Sequence, residues 1–220
     1  MSAVDKVHFE STGTSSGASI SEAIGGIVAI VLTILGLAHI APIFLVAIAT
    51  IAVGVALAFE GAAVAGEYAR LLTRPGEEGA AVSDLGGGAA WATEFLAGSA
   101  GIILGVLALL NVESTNLVAI AAIGFGGALV LSSNSAAQLN VLKVARAQLE
   151  EPARHLLGGV LSSSAGVQAI AGLQAIVLGI LALAGFAPVV LILIALLALG
   201  TFILINGSAL SGVMLSVMGR

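Results

Sequence analysis

The sequence predicts an all-α membrane protein, with six transmembrane helices paired as three helical hairpins in a pseudo-threefold bundle. Three observations lead there. The first is composition: 59% of residues are hydrophobic and only 9% charged, with a mean hydropathy of +1.18. Soluble domains carry about 25% charged residues. The second is the run between Glu22 and Glu60, whose 37 intervening residues carry no full charge and hold one proline, Pro42, near the middle. This is the pattern of an apolar helix, a tight turn and a returning apolar helix. The third is repetition. Adding 72 carries Glu22, Gly26, Gly54 and Glu60 to Glu94, Gly98, Gly126 and Ser132. Adding 146 carries them to Gln168, Gly172, Gly200 and Asn206, and carries Pro42 to Pro188.

About 20 apolar residues cross about 30 Å of hydrocarbon as a helix. Six stretches qualify, near 21–40, 43–68, 92–111, 116–142, 166–185 and 188–217. Backbone facing lipid must satisfy its own hydrogen bonds, so these runs are helices. The short alternating strands of a barrel are absent.

The chain divides accordingly. Residues 1–19, rich in Ser, Thr and Gly, form a polar cytoplasmic tail. No cleavage motif follows the first apolar run, so the first helix is expected to stay in the mature chain. Hairpin one occupies 20–74, turns at His39–Pro42 and stops at Pro75 and Gly76. Residues 75–91, with Glu77, Glu78, Asp84 and Gly86–Gly88, read as a wet, flexible linker. Hairpin two, 92–147, follows Trp91, a residue suited to the membrane interface. Its turn is expected over 111–116, with Pro152 ending the helix that continues beyond the bilayer. Residues 148–165 read as a second linker, with Arg154–Leu157 lying along the membrane surface. Hairpin three, 166–217, turns at Gly185–Pro188.

All seven basic residues, Lys6, Arg70, Arg74, Lys143, Arg146, Arg154 and Arg220, fall on one side of this layout. The positive-inside rule places both termini and both linkers in the cytoplasm. The hairpins therefore share one orientation and form parallel repeats about an axis along the membrane normal. Dense small residues, including the GxxxG spacing of Gly101 and Gly105, favour close helix packing.

Glu22 lies 20 residues before Pro42 and Glu60 lies 18 after it. At 1.5 Å per residue both stand about 27–30 Å from the turn. The repeat offsets set Glu94, Ser132, Gln168 and Asn206 at the same height. A polar layer of Glu22, Glu60, Glu94, Ser132, Gln168 and Asn206 is the candidate site. Helix-start residues favoured by the helix dipole are one reading. A proton or cation site, with Glu60 its foremost member, is a second, and a layer that docks a partner is a third.

Enzyme chemistry finds no footing. There are no cysteines, each histidine stands alone, and no phosphate-binding loop is present, since Gly86–Gly88 lacks the following Lys-Ser/Thr. His39 with a distant Glu113 is too few ligands for a metal. No metal, cofactor or nucleic acid is expected, though a tight bundle can seat a pigment or quinone between helices.

The run from Gly26 to Ala38, Pro42, and the following apolar helix with Gly54 and Gly61 resemble the HdeD family of small acid-resistance membrane proteins. Residues 176–184, Pro188, Gly200 and Gly207 repeat the look, whereas hairpin two has Ser114 where the others have proline. The resemblance implies a six-helix, stress-related protein of a bacterial-type inner membrane and brings no catalytic residues. The function expected is non-enzymatic: structural, stress-protective, or an accessory subunit that self-associates or joins a larger assembly in the lipid bilayer. The alternative is a small proton or cation channel or carrier that uses the carboxylates.

Overall fold

The computed structural model describes the backbone of residues 22–72, 87–146 and 151–218, and side-chain surroundings within 22–62, 92–133 and 166–206. The expected tail, the 75–86 part of the first linker and the terminal Arg220 lie outside these residues. So do the side chains of Trp91, Arg70, Lys143, Arg146 and Arg154. Six helices are described: α1 (Glu22–Leu37), α2 (Pro42–Leu72), α3 (Gly87–Leu109), α4 (Ser114–Arg146), α5 (Glu151–Leu183) and α6 (Pro188–Met218). There is no strand among the described residues. Five helices are long and apolar enough to cross a membrane, and α1 is a shorter apolar helix. The chain is that of an all-helical membrane protein.

Two expected linkers are helical where they are described. Helix α3 begins at Gly87, inside the triple glycine, and α5 begins at Glu151 and runs through 151–165 without a break. Pro152 is the second residue of α5 as described, and its fixed φ is compatible with the start of a helix.

The turns share one backbone. Each first helix ends with a pair of bonds, Ile40 N–H to Leu35 C=O and His39 N–H to Gly36 C=O in the first case. The second is Val112 to Leu107 with Asn111 to Ala108, and the third Phe186 to Leu181 with Gly185 to Ala182. These are Schellman caps, which need a left-handed residue after the helix. His39, Asn111 and Gly185 supply it, with φ of 64°, 63° and 88°. Ala41, Glu113 and Ala187 are left-handed as well, and their carbonyls accept the first bonds of α2, α4 and α6. Helix α4 thus starts at Ser114, so Ser114–Asn116 are helical and the second turn is shorter than expected. Ser114 occupies the place that Pro42 and Pro188 hold elsewhere, and Asn116 Nδ2 donates to Glu113 Oε2 at 2.8 Å across that first turn.

Packing follows the small residues. Helix α3 lies against α2, α4 against α3, α5 against α4 and α6 against α5. Helix α1 touches α2 at Gly25 and Ala56, and α6 at Gly26, Gly200 and Leu204. The order therefore closes on itself. Helices α2, α4 and α6 also touch one another. Their inward side chains, with Val53, Phe125, Leu199, Leu57, Leu129 and Ile203 among the most buried, make the core. At the end where these three helices begin, Ile43, Val46, Ser114, Thr115, Val189 and Ile192 line a small dimple.

Three seams bring backbones into contact. A Cβ added at Gly54 would stand 2.7 Å from the Gly98 carbonyl oxygen, and one at Gly98 would stand 2.5 Å from that of Gly54. One at Gly172 would stand 2.6 Å from the Gly126 carbonyl, and one at Gly26 2.9 Å from that of Gly200. In lipid such close approach supplies much of the attraction between helices. Large apolar side chains such as Leu96, Ile103, Ile170 and Phe186 cover the outside.

Candidate functional site

The six polar positions named from the sequence come together in two hydrogen-bonded groups. In the first, Asn206 Nδ2 on α6 donates to Glu22 Oε1 on α1 at 3.1 Å and to Glu60 Oε1 on α2 at 2.9 Å. In the second, Gln168 Nε2 on α5 donates to Ser132 Oγ on α4 at 2.8 Å and to Glu94 Oε1 on α3 at 3.2 Å. Every helix contributes one member. Glu22, Glu94, Ser132 and Gln168 are buried, and Asn206 and Glu60 partly so. Although the Glu60 stem reaches the surface, its Oε2 is shut off from it and has no hydrogen-bond partner. The two groups adjoin, because both Glu94 and Glu22 lie within electrostatic reach of Glu60.

The glycine seams set this geometry. The antiparallel register that puts Gly26 against Gly200 and Leu204 brings Glu22 to Asn206 about one turn further on. The register of Gly172 on Gly126 brings Gln168 to Ser132 in the same way. The register of Gly98 on Gly54 and Ala58 brings Glu94 to Glu60.

Donors in the layer are fully committed. A carboxamide nitrogen carries two hydrogens, and both Asn206 and Gln168 use theirs on two acceptors. The Ser132 hydroxyl faces the Leu129 carbonyl at 3.2 Å. No Lys or Arg occurs within 22–62, 92–133 or 166–206.

Other buried polar groups are accounted for within their own helices. Thr33 Oγ1 donates to the Ala29 carbonyl, Thr50 Oγ1 to that of Val46 and Ser133 Oγ to that of Val130, each at 2.8 Å. They add nothing to the layer. His39 and Glu113 are exposed in different turns. Among the described residues no three or more carboxylates or imidazoles are grouped to hold a metal ion.

No family model, curated protein or solved structure matches this chain.

Proposed function

We propose that this is a six-span integral membrane protein made of three like hairpins about a pseudo-threefold axis. Its role is non-enzymatic, as a structural, stress-protective or accessory element of a larger membrane assembly. The observation that carries the reading is the closed set of glycine seams, Gly54 on Gly98, Gly126 on Gly172 and Gly200 on Gly26. Backbones in contact at three places resist sliding, which suits a rigid scaffold better than a body that must open and close. The turns add support, since positions 72 and 146 apart adopt the same left-handed backbone. The apolar exterior is offered to lipid or to neighbouring subunits.

Two measurements test this. Native mass determination in lipid nanodiscs should find the chain in multiples or with a partner, and a lone monomer that turns over a substrate would refute the role. For orientation, the cysteine-free sequence allows single cysteines to be placed cleanly. Cysteines at His39, Asn111 and Phe186 should react with an impermeant maleimide from outside the cell, and one at Arg70 only after lysis. Labelling of Arg70→Cys in intact cells would invert the proposed topology, in which the basic residues face the cytoplasm of a bacterial-type cell.

One observation favours a second reading, a proton or cation conductor. It is the layer itself, in which one amide joins the carboxyls of Glu22 and Glu60 and another holds that of Glu94. Proteoliposomes should then carry a flux that Glu60→Gln reduces; no flux from the parent protein removes this reading.

A further inference from the structure

We propose that the α2–α3 seam holds a single proton between the carboxyl groups of Glu60 and Glu94. The inference deepens the conductor reading by naming the ligand and the pair that binds it, and it is tested apart from transport.

The three seams share one register. Each places one layer residue of an inner helix against one of an outer helix. At α6–α1 the pair is an amide and a carboxyl, Asn206 and Glu22, and the amide donates. At α4–α5 it is a hydroxyl and an amide, Ser132 and Gln168, and the amide donates again. At α2–α3 the same register sets a carboxyl against a carboxyl. Two ionised carboxylates can only accept. This seam alone lacks a built-in donor.

The consequence is visible at one atom. Glu60 Oε2 is buried and unpartnered. Its sister oxygen Oε1 takes one hydrogen of Asn206, whose other hydrogen goes to Glu22. Gln168 is equally spent, on Ser132 and Glu94. The groups acting on Glu60 from the other helices are Glu22 on α1, Glu94 on α3 and Asn206 on α6, and none is basic. A metal is disfavoured by the ligand geometry. The donor that completes the seam is the proton of a carboxylic acid. With it, Glu60 Oε2–H donates to the Glu94 carboxylate in a short, charge-assisted bond. The proton comes from water, belongs to the pair rather than to either residue, and leaves the same way. Its departure sets two like charges at a seam where the backbones touch, so the α2–α3 contact is the proton-responsive one of the three.

The test is infrared difference spectroscopy of the full-length protein in lipid nanodiscs at neutral pH, with exchange into deuterated water. The wild type should show the carbonyl band of one protonated carboxyl per chain, shifted on deuteration. Glu60→Gln and Glu94→Gln should each lose it entirely, because the new amide donates as Asn206 does at its own seam. Glu22→Gln should keep it. Because the first reading is on the wild type, a poorly folding variant does not spare the proposal. Absence of the band in the wild type, or its survival in both Glu60→Gln and Glu94→Gln, overturns it. Proton flux in liposomes separates the two ideas: a band without flux sinks the conductor and leaves the proton site standing, whereas flux without a band sinks the shared proton.

Discussion

The seam glycines give the sharpest test of the packing. In Gly98→Ala the new Cβ would lie 2.5 Å from the Gly54 carbonyl oxygen and 2.6 Å from the Ala58 nitrogen. Both are backbone atoms of α2 and cannot rotate aside. Ordinary contact begins near 3.4 Å, so the helices must part by about 1 Å. A gap of that size forfeits a quarter to a half of the dispersion well along the seam, and overpacked sites typically lose about 1–3 kcal/mol. Helix α4 supplies the control, because a Cβ at Gly124 or Gly127 would meet nothing within 4 Å. Replacing either by Ala should leave stability unchanged or raise it by up to about 1 kcal/mol, the usual benefit of removing glycine from a helix interior. Reversible unfolding in mixed micelles, titrated with a denaturing detergent, reads the difference. About 1.4 kcal/mol is tenfold in the equilibrium constant, so the Gly98 and Gly124 variants should separate by about fivefold or more. If the two behave alike, the backbones do not touch at this seam and the register argument for the polar layer fails with it.

Other outcomes follow from the same contacts. A Cβ at Gly101 would run into the buried Phe125 ring, so Gly101→Ala should cost about 1–3 kcal/mol. Phe125→Leu should restore part of that loss in a double-mutant cycle, since positions 29 and 53, and 175 and 199, hold Ala with Val and Ala with Leu. Asn206→Leu removes the donor shared by Glu22 and Glu60; leaving two acceptors unsatisfied should cost about 2–5 kcal/mol by the same titration. At the turns, Gly185→Ala forces a side chain onto φ of 88° and should cost about 1–2 kcal/mol. His39→Gly, where φ is 64°, should raise the midpoint of unfolding.

The level of the polar layer was readable because helical rise is fixed. Counting from Pro42 and applying the offsets of 72 and 146 brings all six residues to one height. Which of them meet was not readable. Asn206 reaches residues 184 and 146 positions earlier, and that depends on α6 closing against α1 through Gly26, a lateral choice that helical periodicity does not encode. Residues 87–91 and 151–165, expected as linker, are helical where they are described; glycine and proline signal helix ends, but proline also suits a helix start, so neither residue alone excludes a helix there. Ser114 shows the converse. The second turn looked longer without a proline, yet Glu113 adopts the same left-handed backbone as Ala41 and Ala187, and the helix begins at the equivalent residue.

The contact between α1 and α6 has a consequence for biosynthesis. Helix α1 leaves the ribosome before α2 to α5, and Gly200 and Asn206 on α6 follow all of them. Until α6 is made, the Gly26 face and the Glu22 carboxyl lack the partners they meet in the fold. A nascent chain cut short before α6 keeps the Gly26 groove open and leaves the Glu22 carboxyl without its amide donor.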